Sequence, residues 1–272
     1  MIKVAVIASI YNGETVEHAK EFFDSLTRQT YQNFALLICH DGLLSVELSE
    51  LINDYKNKIE IIECRNKTQS GLAASLNSLI EIALDKNEYK YILRMDTDDI
   101  CFDDRFERQI NFMEMNPIIS VSGGWCIEFN TDTGKRFLKK MESEDILLKK
   151  DIIKKTPFIH PSVIFRINVF ANGFRYNTKT HLSEDLLLWF DLAGAGHKFA
   201  NLDAPLIYYR TSERMLKRRR GIQKACSELK VRMYGINKLN VLNCRNVFFT
   251  ISYFILRILP FRVLKIMYEK FR

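Results

Sequence analysis

Three carboxylates fall within four residues at Asp96-Thr97-Asp98-Asp99, behind Arg94-Met95 and the short apolar run Tyr91-Ile92-Leu93. Carboxylates that close repel one another unless positive charge lies between them. A hard divalent cation such as Mg²⁺ or Mn²⁺ supplies that charge, because it takes oxygen ligands and shares its shell with phosphates. An isolated D-x-D is more often an acidic turn that caps the next helix, so the surrounding elements decide which this is. A second acidic pair, Glu184-Asp185, follows Ser183 and precedes Leu186, Leu187, Trp189, Phe190 and Leu192. That pattern predicts a helix whose acids sit in the first turn, where the helix dipole favours them. A carboxylate so placed can also take a proton.

The elements that must position these groups alternate in period. Lys3–Ala8, Phe34–Cys39, Ile59–Cys64 and Tyr91–Leu93 are short apolar strand candidates. Between them, Val16, Ala19, Phe22, Phe23 and Leu26 recur at helical spacing, as do Leu72, Leu76, Leu79, Ile80 and Ala83. Strands alternating with amphipathic helices predict an α/β fold: a mostly parallel, Rossmann-like sheet flanked by helices. In such sheets ligands bind beyond the carboxyl ends of the strands. Ser9-Ile10-Tyr11-Asn12, Asp41 and Arg94 through Asp99 all fall at those ends. Further on, Ile118–Phe129 is β-rich, Asn130-Thr131-Asp132-Thr133-Gly134 signals a hairpin turn, and Ser143–Lys155 reads as a helix. Pro161–Ile167 and Leu206–Tyr209 read as the last strands. No G-x-G-x-x-G and no G-x-x-x-x-G-K-[ST] occurs, which argues against a dinucleotide-binding domain and a P-loop NTPase.

The chain has 272 residues, 47% of them hydrophobic and 27% charged, enough for a buried core and no sign of disorder. Its net charge of +7 hides an asymmetry: residues 1–209 carry 24 Lys+Arg and 30 Asp+Glu, whereas residues 210–272 carry 16 and 3. An acidic body with a strongly basic tail suggests an anionic partner, a membrane surface or a nucleic acid. The six cysteines form no C-x-x-C pair and read as reduced thiols of a cytoplasmic protein. The apolar run Val4–Ile10 is too short for a signal peptide.

Several of these segments, taken in order, resemble the family 2 glycosyltransferases, which have a GT-A fold, and in particular a bacterial subgroup that builds surface polysaccharides. Val4 through Glu14 is similar to the opening strand and its V-Y-N-x-E loop. His40-Asp41-Gly42 is similar to a D-D-G turn, with His40 in place of the first Asp. Gly71 through Asn77 resembles the helix facing the nucleotide. Arg94 through Ile100 with Asp104 through Gln109, His160-Pro161-Ser162-Val163 and Ser183-Glu184-Asp185 complete the set, which covers roughly residues 3–210. The resemblance implies a catalytic domain over residues 1–210, with a nucleotide-binding half (1–100) and an acceptor half (101–210), followed by a basic amphipathic helical tail (211–272).

The resemblance also implies roles. The donor would be a UDP-sugar. Asp98 would hold Mn²⁺ or Mg²⁺ against the diphosphate, with Asp96 near the ribose or the metal. Asp41 would bond the uracil edge, Tyr11 would stack on the ring, and Ser9 would add backbone or hydroxyl contacts. Arg94 would meet the nucleotide or hold the carboxylates. Asp185 matches the family base and Glu184 would shape the acceptor side. His160 is either an acceptor-side contact or a buried residue entering a strand. Tyr11, Asp41 and Arg94 also have plain structural readings, as a rim aromatic, a turn former and an ion-pair partner. Tyr209-Arg210 is followed by no histidine, which leaves no third protein ligand to a metal from that segment, and no Q-x-x-R-W of a processive synthase occurs. The expected reaction is inverting transfer of a hexose (glucose, galactose or an N-acetylated hexosamine) to a lipid-linked oligosaccharide, with a β-linkage, in surface polysaccharide synthesis. A nucleotidyltransferase would need a glycine-rich phosphate loop, which is absent, and a nucleic-acid-binding role lacks a reading motif. The apolar run Val247–Leu256 is too short to span a bilayer. It fits a segment lying on the inner face of the cytoplasmic membrane, or a helical pair packed on the body.

Overall fold

The computed structural model describes residues 2–180 and 182–270; the last two residues of the basic tail lie outside it. β1 (Val4–Ile10), α1 (Val16–Thr27), β2 (Phe34–Asp41), α2 (Val46–Tyr55), β3 (Glu60–Asn66), α3 (Leu72–Lys86) and β4 (Tyr91–Arg94) alternate as the sequence predicts. The four strands are parallel, in the order β3-β2-β1-β4. Chain order therefore reverses between β1 and β4, which makes a crevice beyond their carboxyl ends. Ile7 pairs with Arg94, so Ser9 and Tyr11 leave one side of that crevice and the acidic turn leaves the other. Helices cover both faces of the sheet. Phe22, Phe23, Leu48 and Phe106 pack on one side, and Leu76, Leu79, Ile80 and Trp189 on the other, all essentially buried.

Beyond β4 the expected parallel sheet gives way to a mixed one. β5 (Ile100–Cys101), α4 (Arg105–Met115), β6 (Ile119–Asn130), β7 (Arg136–Lys139), α5 (Asp145–Lys150), β8 (Ile164–Arg166), α6 (Ile167–Ala171), α7 (Glu184–Gly194) and β9 (Lys198–Thr211) follow. The sheet continues from β4 as β8-β6-β9-β5. β8 is antiparallel to both β4 and β6, β5 is antiparallel to β9, and only β6–β9 is parallel. The reason is connectivity. A parallel pair needs a crossover, usually a helix, and the regular strand–helix alternation ends at β4: β5 follows it through the acidic turn, and β7 follows β6 with no helix between. Past it the chain turns back directly, as at Asn130–Gly134, where the Asn130 side chain accepts from the Thr133 N–H (2.9 Å) and joins β6 to antiparallel β7. Two shorter corrections apply. The predicted helix over 143–155 is helical only over Asp145–Lys150, and the predicted strand 161–167 opens with a 3₁₀ turn at His160–Ser162, because proline donates no ladder hydrogen bond.

The basic segment forms α8 (Glu213–Arg218), α9 (Ile222–Lys238), α10 (Cys244–Ile258) and α11 (Phe261–Lys270). α9 lies against α7, and a Cβ added at Gly235 would sit 2.5 Å from the Phe190 ring, so glycine sets how closely the helices approach. α10 packs on α9 and on the loop after α5. The Arg232 guanidinium lies 3.8 Å from the Tyr253 ring, and the Tyr253 hydroxyl donates to the Lys154 carbonyl (2.8 Å). None of the helices in the described residues is long and apolar enough to cross a membrane.

Candidate active site

β4 ends at Arg94, whose side chain is 1% exposed and folds back on the turn it precedes. Nη1 donates to Asp96 Oδ2 at 2.8 Å and Nη2 donates to Asp96 Oδ1, a two-pronged grip that occupies both carboxylate oxygens. Arg105 and Gln109 of α4, both fully buried, fix the surrounding backbone: Arg105 Nη2 donates to the Arg94 carbonyl (2.9 Å) and Gln109 Nε2 to the Ser162 carbonyl (2.9 Å). This gives a physical account of the Asp104–Gln109 segment quoted in the resemblance.

Asp96, Asp98 and Asp99 each place one carboxylate oxygen within 4.8 Å of the others. Burial, and then the charges of Asp96 and Glu14, raise the Asp98 carboxyl to about 7. Burial, with Asp98 and Asp96 beside it, raises Asp99 well above the ordinary range. Asp99 Oδ1 accepts the Arg210 backbone N–H (2.8 Å), whereas its buried Oδ2 has no hydrogen-bond partner. Three clustered oxygen donors, with one buried oxygen unpartnered, fit a hard divalent cation. The cluster draws on all three aspartates, and Asp99 also braces the turn.

Two residues with no assigned part in the sequence reading complete this wall. Glu14, in the loop after β1, accepts from the Thr15 N–H (2.9 Å) and the Thr97 hydroxyl (3.4 Å), and burial followed by the charge of Asp96 raises its carboxyl. Only its place in the Tyr11–Glu14 loop pointed to it. Arg210, at the end of β9, donates through Nε to the Asp98 carbonyl (2.7 Å) and through Nη2 to Glu21, with its guanidinium 4.6 Å from the Phe129 ring. It holds the acidic turn from outside.

Ser9, Tyr11 and Asp41 lie at the carboxyl ends of β1 and β2. The Ser9 carbonyl accepts from the Thr97 hydroxyl (3.3 Å). Tyr11 is half-buried, and its ring lies over Gly13, where an added Cβ would come within 2.3 Å of it. Asp41 is 6% exposed. Its carboxylate accepts from the N–H groups of Ser70 (2.7 Å) and Gly71 (3.0 Å) and from Asn66 Nδ2 (3.0 Å), which clamps the start of α3.

On the other side, Glu184 and Asp185 are half-buried in the first turn of α7. Burial and then Asp185 raise the Glu184 carboxyl, while Lys224 and Arg94 oppose them. Ser183 makes no side-chain cap; its hydroxyl accepts from Lys224 Nζ at 2.7 Å. His160 Nε2 lies 2.8 Å from the Tyr176 hydroxyl, and burial, then Arg94, push the imidazole well below its usual range, so it is neutral. Asn77 clamps the Tyr176 backbone reciprocally, donating to its carbonyl (2.8 Å) and accepting from its N–H (2.9 Å). Burial raises the buried Tyr176 hydroxyl, which feels Arg94 as well as Asp185, Glu184 and Asp96. Tyr176 thus lies near enough to both acidic groups to feel their charges.

A mixed GT-A-like sheet carrying a carboxylate cluster at its switch point defines a class, and comparison gives it a family. Residues 5–177 match the family described as glycosyl transferase family 2, and the chain belongs to it. The chain is 29% identical over 268 residues to the amylovoran biosynthesis glycosyltransferase AmsE of Erwinia amylovora, with 98% of each covered. It is 28% identical over 276 residues (98% and 96% covered) to the UDP-Gal:alpha-D-GlcNAc-diphosphoundecaprenol beta-1,3-galactosyltransferase of Escherichia coli. The fold matches S. aureus TarS 1–349 in complex with UDP-GlcNAc, with a TM-score of 0.68, 17% identity, and 94% and 72% of the two chains covered. The protein is a glycosyltransferase with an acidic cluster suited to a metal ion.

Proposed function

We propose that the protein is an inverting glycosyltransferase that moves a hexose from a UDP-sugar to a lipid-linked saccharide in polysaccharide synthesis. The observation that carries this reading is the Asp96–Asp98–Asp99 oxygen cluster at the β1/β4 crevice. Ser9 meets its turn through Thr97, and Tyr176 feels the charges of Arg94 and of Asp185. The acceptor hydroxyl oxygen attacks the anomeric carbon opposite the diphosphate, and the carbon–oxygen bond to UDP breaks with its electron pair going to UDP. Asp185 takes the hydroxyl proton as the new bond forms, and the linkage made is β. Mn²⁺ or Mg²⁺ on Asp98 would neutralise charge developing on the leaving diphosphate. Tyr11 and Ser9 hold the nucleotide, Asp41 reaches the uracil edge, and Arg94 keeps Asp96 oriented toward the ribose and metal. Glu184 and His160 line the acceptor side. The printed activity of the E. coli relative, from UDP-Gal to a diphosphoundecaprenol acceptor, supports the donor and acceptor classes.

A lipid-linked acceptor sits at a membrane, and α10 offers a surface for one. Phe248 (65% exposed), Ile251, Ile255 and Ile258 recur on one exposed face, with Arg245 and Arg262 exposed beside it. An apolar stripe with basic residues at its rim suits an anionic leaflet, on the inner face of the cytoplasmic membrane.

The test is a panel of UDP-sugars with Mn²⁺ or Mg²⁺ and lipid-extracted acceptors, read as UDP release. We expect turnover with one UDP-hexose and its loss in both Asp98→Ala and Asp185→Ala. No UDP release from any donor with acceptor present overturns the reading.

A further inference from the structure

We infer that Lys224, from the basic C-terminal segment, is a positioning residue that sets the first turn of α7 and so places its acidic pair for proton transfer; this rests on the reading of Asp185 as the base. The Leu182 backbone has φ +52°, in the left-handed region that disfavours a side-chain-bearing residue. Something must hold it there. Lys224 Nζ donates to the Leu182 carbonyl and to Ser183 Oγ (2.7 Å). The Ser183 side chain is therefore held from α9 rather than capping its own helix, and Glu184 and Asp185 follow it directly.

Charge supports the same assignment. Lys224 is 5% exposed, and a buried ammonium needs anions. Glu228 lies one turn on at 3.8 Å, but it is shared: Arg232 Nη2 reaches Glu228 Oε1 at 2.8 Å and Arg257 Nε reaches Oε2 at 2.8 Å. Three cations thus surround one carboxylate. The other anions acting on Lys224 are Asp185 and Glu184. The groups facing that pair are Lys224 of α9, Arg94 at the end of β4 and Tyr176 of the preceding loop. Arg94 is committed to Asp96, and Lys224 stands ahead of it among the cations that oppose the raised carboxyl of Glu184.

The experiment compares Lys224→Met, Lys224→Arg and Ser183→Ala by kcat and KM across pH at saturating metal, with UDP affinity and thermal melting alongside. Lys224→Met should lower kcat about 10- to 100-fold, as expected for misplacing a reacting group, with donor KM and UDP affinity unchanged. The acid limb of the kcat profile should move upward by about one pH unit, since loss of a nearby cation raises a carboxylate. Lys224→Arg should restore the limb. Ser183→Ala removes only a neutral partner, so it should lower kcat and leave the limb in place; it carries the test if Lys224→Met does not fold. A wild-type kcat and limb in Lys224→Met overturns the inference, and so does a fall in kcat with an unmoved limb that Lys224→Arg fails to rescue. Asp185→Asn separates the two readings. If it stays active, the base assignment fails; if it is inactive while Lys224→Met behaves as wild type, only the positioning role fails.

Discussion

Arg94 grips both carboxylate oxygens of Asp96 from a buried position two residues upstream. The grip divides the work of the acidic turn. Asp96 has its charge balanced within the protein, whereas Asp98 and Asp99 crowd together with raised carboxyls. A cation entering this wall therefore relieves repulsion chiefly at Asp98 and Asp99. The Arg94 backbone carbonyl is itself held by the buried Arg105, so the fork is fixed at both ends.

Arg94→Lys keeps a charge but loses the planar fork. Losing one charge-assisted bond and leaving one partly buried carboxylate oxygen short is worth about 2–3 kcal/mol, or about 30- to 150-fold in a rate or binding constant. We expect kcat/KM to fall by up to that amount and the melting temperature to fall by about 4–12 °C, since the same fork also supports the fold. Unchanged kinetics in a folded Arg94→Lys would show that the fork only braces the turn.

Asp98→Asn and Asp99→Asn should separate when Mn²⁺ binding is titrated calorimetrically in the presence of UDP. Asp98→Asn removes a charged oxygen donor and should weaken the metal by about 100-fold or more. Asp99→Asn retains an oxygen for the Arg210 N–H, so the turn survives and the loss should be smaller, about tenfold. Equal losses in both variants would show that the two aspartates share the ion evenly.

Why was the first half of this arrangement legible before the second? β1 through β4 declare themselves because continuous apolar runs alternate with helically spaced ones, and a parallel sheet then places Ser9, Asp41 and Asp96 at one rim. The direction of β8 is not written in its apolar run, which reads the same parallel or antiparallel; it depends on how residues 95–163 return to β4. Arg210 and Lys224 were invisible for a different reason. Their partners lie 112 and 41 residues away, and a lone cation in a basic segment carries no sign of which carbonyl or carboxylate it will meet. Asp41 shows the converse: the resemblance implies a contact to the base, and the fold uses its carboxylate to clamp the start of α3.

The α10 face yields a membrane prediction. Burying an exposed isoleucine is worth about 1.5–3 kcal/mol, and each basic residue near an anionic leaflet adds about 1 kcal/mol. The protein should float with phosphatidylglycerol-containing vesicles, less so with rising salt. Ile251→Glu combined with Ile255→Glu should cut that binding by at least about tenfold while leaving the melting temperature intact, because both side chains are exposed. Binding that survives in the double variant, or that is equal on neutral vesicles, assigns no lipid to this face.

Glu228 supplies the pH dependence of stability. Burial alone would raise its carboxyl, but Arg257, Arg232 and Lys224 outweigh burial and bring it down to about 2, below the ordinary 4.5. A carboxylate whose folded value is depressed stabilises the fold fully above its unfolded value, and that stability is lost as pH falls through the window from about 4.5 to about 2. A shift of this size corresponds to about 3 kcal/mol. Glu228→Gln should therefore lower the unfolding free energy by about that much at pH 7, since it leaves three buried cations facing one another. The gap between variant and wild type should narrow as pH drops below about 4.5, because the wild-type carboxyl then becomes neutral as well. Urea unfolding at pH 7, 5 and 3 measures this directly. A gap that stays constant across that range would mean that the cations, and not the carboxylate charge, dominate the energetics of this cluster.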